Sequence, residues 1–234
     1  MLLQTGGDGV RFKPRLIEGI NLSNPPRPER LILDGQQRLT SLYGSLMSGA
    51  SVETRDEKQK PLKRWYYIDI DACIDPEMDR FDAILSVPED RCVRGDFGRV
   101  VELDLTSREK EFEHGLVPMN ILLDTRFPAW RNDYMQHYSM DPERMNRISQ
   151  FEMDIWMRFQ QFKVPVIQLL SSTPKEAVCQ VFEKVNTGGV ALTVFELMTA
   201  TFAAEDFQLR EDWERRRDVL HNYDVLKSVG GTEF

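Results

Sequence analysis

The stretch ERLILDGQQRLTSLYGSLM, residues 29–47, changes its periodicity across a single glycine. Before Gly35 a short apolar run ends at Asp34, the pattern of a buried strand over 29–34. After it, Leu39, Leu42, Tyr43, Leu46 and Met47 recur at the spacing of one helix face, predicting a helix that ends near Gly49. A chain that turns directly from strand to helix belongs among folds that mix sheet and helix.

A turn needs only the glycine, and a helix cap needs only one short polar side chain. Here five consecutive positions, Asp34, Gly35, Gln36, Gln37 and Arg38, are polar or glycine. The first backbone N–H groups of a helix are unpaired and lie at the positive end of its dipole, which makes a ready anion site. Gly35 admits close approach of a ligand to the backbone. Gln36 and Gln37 bring amide donors, and Arg38 brings a planar fork suited to phosphate oxygens. Asp34 is placed to orient Arg38 or to hold Mg²⁺ through water. On helix chemistry alone two readings stay open: a donor-rich phosphate cradle, or an Asp cap followed by polar surface residues. No G-x-x-x-x-G-K-[ST] occurs in the chain, which excludes a Walker-type ATPase.

The remaining pattern predicts α+β. TGGDG at 5–9 reads as a hairpin turn between residues 2–4 and 10–12. ETRDEKQKPLKR at 53–64 reads as a charged loop and WYYIDID at 65–71 as a strand with Trp65, Tyr67, Asp69 and Asp71 on one face. Residues 72–97 read as irregular, RVVELDL at 99–105 as a strand, and VPMNILLDTRFPAW as too interrupted by proline to assign. Asp141 and Pro142 open a helix to about 162, with Met145, Ile148, Ile155 and Phe159 on one face, a core or partner-facing stripe. VPVIQLL at 164–170 reads as a buried strand. Thr173-Pro174-Lys175-Glu176 is a capping box ahead of an apolar stripe of Val178, Val181, Phe182 and Val185. That helix stops at Asn186-Thr187-Gly188-Gly189, a second capping box at Thr193 and Glu196 starts a helix to about 204, and a charged helix ends near His221.

Composition bounds the function. With 41% hydrophobic and 29% charged residues among 234, the chain has a globular composition, and no apolar run approaches a membrane span. Cys73, Cys92 and Cys179 are widely spaced and read as free thiols, so cytoplasm is the expected location. The net charge of −8 argues against a chain that grips DNA by its phosphates, and the ERRRD run at 214–218 reads as a solvated helix face. His114, His137 and His221 stand apart and read as surface or packing residues, which leaves no His-metal nuclease centre. Asp69 and Asp71 are read as an exposed edge rather than as metal ligands, and no metal site is assigned to protein side chains alone.

The segment VFEKVNTGGVALTVFEL, 181–197, gives a tight helix–turn–helix. LILDGQQRLTSL followed by that segment resembles the two signature segments of the Asp-Gly-Gln-Gln-Arg domain, which forms the N-terminal half of GmrSD-type, modification-dependent restriction enzymes and related phage-defence proteins. Asp34, Gly35, Gln36, Gln37 and Arg38 match the first, followed by Leu39 and Thr40. Phe182, Asn186, Gly188 and Gly189 match the second, then Leu192 and Glu196. The resemblance implies a ParB/sulfiredoxin-like small mixed sheet within residues 1–110 and a mainly helical region, 111–234, that returns Asn186 and its glycines to the same site.

It further implies binding and hydrolysis of a nucleoside triphosphate (GTP, ATP or CTP) with Mg²⁺. Asp34, Gln36, Gln37 and Arg38 would be catalytic. Gly35, Gln36, Gln37, Arg38, Thr40, Asn186, Gly188 and Gly189 would bind the nucleotide. An HNH-type nuclease domain, in cis or in trans, would be the partner, with DNA contacted through other domains. A nucleotide-gated module without turnover and a ParB-like nuclease are the alternatives. Family members carry a Gln-Arg-aromatic motif ahead of the first hairpin, and this chain starts too late to contain it, so a missing first segment is expected.

Overall fold

The structure, a computed structural model, describes residues 1–5, 14, 16–174, 177–178, 180–181, 199 and 209–223. It is mixed α and β and divides into two compact units. One is formed by residues 1–37 with 165–234, the other by residues 38–164.

The first unit contains a small sheet ordered β2-β1-β9. β1 (Leu2–Gln4) lies between antiparallel β2 (Arg30–Ile32) and parallel β9 (Gln168–Leu169). Leu2 pairs with Ile32 on one edge and with Gln168 on the other. Residues 10–12, the expected hairpin partner of β1, lie outside the described residues; both edges of β1 are taken by β2 and β9. Leu3, Leu169 and Val178 form its apolar centre. The buried strand expected over 164–170 is shorter and more exposed: Leu169 is buried, whereas Val166, Ile167 and Leu170 are exposed. The charged helix appears as α7 (Leu209–Leu220), with Trp213 buried and Arg216 paired to Asp212 at 2.6 Å. The solvated face read from ERRRD is thereby borne out.

In the second unit β4 (Pro61–Asp69) is the spine. β5 (Ile84–Pro88) runs antiparallel along one edge, and β3 (Val52–Arg55) and then β8 (Leu116–Pro118) along the other. The charged stretch 53–64 is thus a hairpin rather than a loop. Asp56 closes its turn, accepting the backbone N–H groups of Lys58 and Lys60 at 2.8 and 2.9 Å. β6 (Cys92–Gly95) and β7 (Val100–Asp104) form a separate antiparallel ribbon. β5 and β6 fall in the span 72–97 that the sequence left irregular. At Asp69 the chain leaves β4 and enters α2 (Ile70–Ile74), so Asp69 and Asp71 do not share a strand face.

Helices α3 (Arg108–His114), α4 (Arg126–His137), α5 (Pro142–Phe151) and α6 (Met157–Gln161) complete this unit. Asp141 caps α5 by accepting the N–H of Arg144 at 3.0 Å, with Pro142 in the first turn as expected. A π-helical turn, Glu152–Trp156, joins α5 to α6. Phe127, Trp130, Tyr134, Ile148 and Phe151 are fully buried and anchor the larger of two apolar clusters. Tyr67, Val87, Leu105 and Leu116 form the other. Aromatic contacts hold the first: Phe127 stacks on Trp156 at 5.1 Å, and the edge of one ring meets the face of the other in the Phe112–Trp130 pair at 5.0 Å.

Candidate functional site

The segment Asp34–Arg38 sits where β2 gives way to α1 (Gln36–Leu46), the strand-to-helix junction that the change of periodicity requires. The junction is built from backbone geometry. Leu33 donates its N–H to the carbonyl of Met1 at 3.0 Å, extending the β1–β2 pairing by one residue. The carbonyl of Asp34 accepts from the Met1 amine at 3.3 Å. Gly35 then takes φ +89°, the left-handed region where a β-carbon meets the neighbouring carbonyl. That single reversal lets the helix begin at the next residue.

Within the first turn, Gln36, Gln37 and Arg38 are exposed, while Asp34, Gly35 and Thr40 are partly buried. The turn itself contains no acidic residue; the carboxylate of the segment, Asp34, precedes the helix by two residues. Two amide side chains and one guanidinium therefore stand on the first turn of the helix, a set rich in hydrogen-bond donors. Farther along, Leu46 joins the larger apolar cluster, but Leu42 and Met47 are 48% and 60% exposed. The apolar face read from the sequence is therefore only partly used.

The structure keeps Asp34, Gly35, Gln36, Gln37, Arg38 and Thr40 together by chain continuity. Asn186, Gly188 and Gly189 lie outside the described residues, as do Phe182, Leu192 and Glu196. A hollow of about 440 Å³ opens on α7, lined by Asp212, Arg215, Arg216, Val219 and Leu220, and contains no residue of the Asp34–Arg38 segment. Asp69 and Asp71 are engaged elsewhere: Asp69 caps α2, and Asp71 pairs with Arg147 at 2.9 Å.

One polar site escaped the sequence. Glu111, on α3, is 5% exposed and is the buried charged residue among the described positions. Trp130 donates its indole N–H to Glu111 Oε2 at 2.9 Å, and Tyr67 donates its hydroxyl to Oε1 at 3.4 Å. Burial pushes the Glu111 carboxyl above the usual glutamate range, against the Trp130 hydrogen bond, the charges of Arg91 and Arg108, and the Tyr67 hydrogen bond. The Tyr67 phenol is raised too, first by burial and then by the Glu111 carboxylate. In sequence, SREKEFEH looks like any charged helix, and nothing in it marks one glutamate as internal.

Among the described residues no helix is long and apolar enough to cross a membrane. An uncharacterized protein of Methanocaldococcus jannaschii is 26% identical over 245 residues, a match that takes in 92% of this chain and 37% of the relative. The chain thus spans little more than a third of that relative's length. No solved structure gives a significant match. The family model described as the GmrSD restriction endonuclease N-terminal domain matches residues 12–203, a span that includes both Asp34–Arg38 and Asn186–Gly189. With most of its length under that match, the chain belongs to the family of GmrSD restriction endonuclease N-terminal domains.

Proposed function

We propose that this chain binds and hydrolyses a nucleoside triphosphate through the Asp34–Arg38 segment, as the nucleotide-handling part of a modification-dependent restriction system. The observation that carries the reading is the first turn of α1. A left-handed Gly35 starts the helix abruptly, and Gln36, Gln37 and Arg38 stand exposed on a turn without acids. Family membership supplies the restriction context.

In this reading Gln36, Gln37 and the backbone N–H groups of the first turn bind phosphate oxygens. Arg38 stabilises the charge that shifts during phosphoryl transfer. Asp34, the one carboxylate of the segment, positions Arg38 or the attacking water. A Mg²⁺ ion fits the donor set, since it takes few protein ligands and completes its shell with water and phosphates; Asp34 would hold it through water. When bound, the ion neutralises phosphate charge. Thr40, Asn186, Gly188 and Gly189 would contribute to nucleotide binding, the last three closing the pocket from the second signature segment. The sheet would be of ParB/sulfiredoxin-like type, and a nuclease domain, HNH-type in this reading, would cut the DNA.

Release of phosphate from GTP, ATP, UTP and CTP by the full chain, compared with its Arg38→Ala variant, tests the proposal. A loss of turnover of about 10²–10³-fold in the variant is expected, the usual effect of removing one such charge-stabilising donor. Equal rates would overturn it. Tight binding without release of product by the parent chain would instead make the segment a nucleotide-gated switch.

A further inference from the structure

The second unit has two apolar clusters, and one carboxyl is tied to both. Trp130 belongs to the larger cluster and Tyr67 to the smaller. The two oxygens of Glu111 are divided between them, Oε2 to Trp130 on α4 and Oε1 to Tyr67 on β4. The next residue on α3, Phe112, is itself buried in the larger cluster against Trp130 and Tyr134. A leucine in place of Glu111 would satisfy the burial but would leave an indole N–H and a phenol without partners inside the protein.

We propose that the Glu111 carboxyl is a proton-responsive fastener, tying α3 to β4 and α4, whose protonation state sets how tightly the two clusters close on each other. Protonated, the group keeps both ties: Oε2 accepts from Trp130, and the hydroxyl on Oε1 donates to Tyr67 Oη. Ionised, it accepts from both but leaves a charge in an apolar seam. The groups that face it are Tyr67 from β4, Trp130 from α4, Arg91 from the turn ahead of β6, and Arg108 one turn earlier on α3. Neither arginine is committed to it. Arg91 lies over the Trp65 ring at 4.4 Å, and Arg108 pairs with Asp133 of α4.

The sign follows from linkage. Below the ordinary glutamate value both the closed and the opened seam hold the proton. As pH rises above that value the opened form loses its proton first, and closing weakens until the closed form ionises as well. Opening then becomes roughly tenfold more frequent for each pH unit separating the two midpoints.

Hydrogen exchange of the full chain, read by mass spectrometry over residues 108–116 and 126–137 from about pH 4.5 to 8 and corrected for intrinsic rates, tests this. Protection of α3 and α4 is expected to fall with rising pH in the parent and to stay high and flat in Glu111→Gln. The amide of the variant can accept from Trp130 and donate to Tyr67 without ionising. A flat parent profile, or the same decline in the variant, overturns the proposal. The carboxyl ¹³C resonance of Glu111 in the parent chain gives a second readout that needs no folded variant. A midpoint above the ordinary glutamate range supports the fastener, and a midpoint within it refutes it.

Discussion

Asp69 ends β4 and caps α2 at once: its Oδ1 accepts the backbone N–H of Ala72 at 3.0 Å. The bond stops the longest strand of the second unit and turns the chain into a helix whose Ile70, Ala72 and Cys73 are buried. Replacing Asp69 by Ala is expected to lower stability by about 1 kcal/mol, and by Asn far less, because Asn caps equally well. Urea denaturation of the two variants side by side checks the difference.

Gly35 carries a different constraint. Its φ of +89° lies in the left-handed region, so Gly35→Ala is expected to strain the junction by roughly 1–2 kcal/mol. The denaturation midpoint reads the loss of stability. Under the proposed function the same substitution weakens nucleotide binding, read by calorimetry, because it displaces the first turn of α1.

Phe127 is fully buried, with its ring near Phe151 at 5.9 Å and stacked on Trp156. Phe127→Ala is expected to cost about 3–5 kcal/mol, the combined effect of lost burial and the cavity left behind. Near-ultraviolet circular dichroism should lose the Trp156 contribution even where the variant remains folded. Phe127→Leu, which refills much of the space, should recover most of the stability.

Burial pushes the Cys73 thiol up to about 11, helped by the Asp69 carboxylate and opposed by Arg80. At neutral pH its thiolate is therefore scarce, and alkylation in the native state should be roughly a hundredfold slower than for an exposed cysteine, before any loss of access is counted. Mass-resolved labelling with iodoacetamide, native against urea-unfolded, checks this. The linkage has a sign as well: above the ordinary thiol range the unfolded chain ionises first, so this group removes stability from the fold as pH rises toward 11.

Much of the helical pattern, and the family, were legible in the residues. α1 begins where the period changes, and Asp141 with Pro142 marks α5 because both act within one turn. The β3–β4 hairpin was hidden by charge, since its outer half alternates exposed with only half-buried positions, and polar Thr54 and Arg64 stand on the half-buried face, which weakens the apolar signal there. Pro128 obscured α4, yet it occupies the third helical position, where an N–H has no partner within the helix anyway. β9 erred the other way: an apolar run predicted a buried strand, but two residues pair and most of its neighbours are exposed. Glu111 was invisible because only tertiary packing tells an internal glutamate from its exposed helical neighbours. Within the candidate site, the Asp34–Arg38 turn was readable because its chemistry is local.

The pairing of β1 with β9 has a consequence for how the protein comes into being. Leu2 and Leu3 meet Gln168 and Leu169 across an intervening unit of contiguous sequence. On a ribosome, residues 38–164 emerge as an uninterrupted stretch and can fold while the opening strand still waits for its parallel neighbour. The sheet that leads into Asp34 closes only after residue 169 has been made. The junction at Asp34–Arg38 thereby gains its finished sheet only once translation has passed that point, so the last part of the first unit to be made is needed to complete the first.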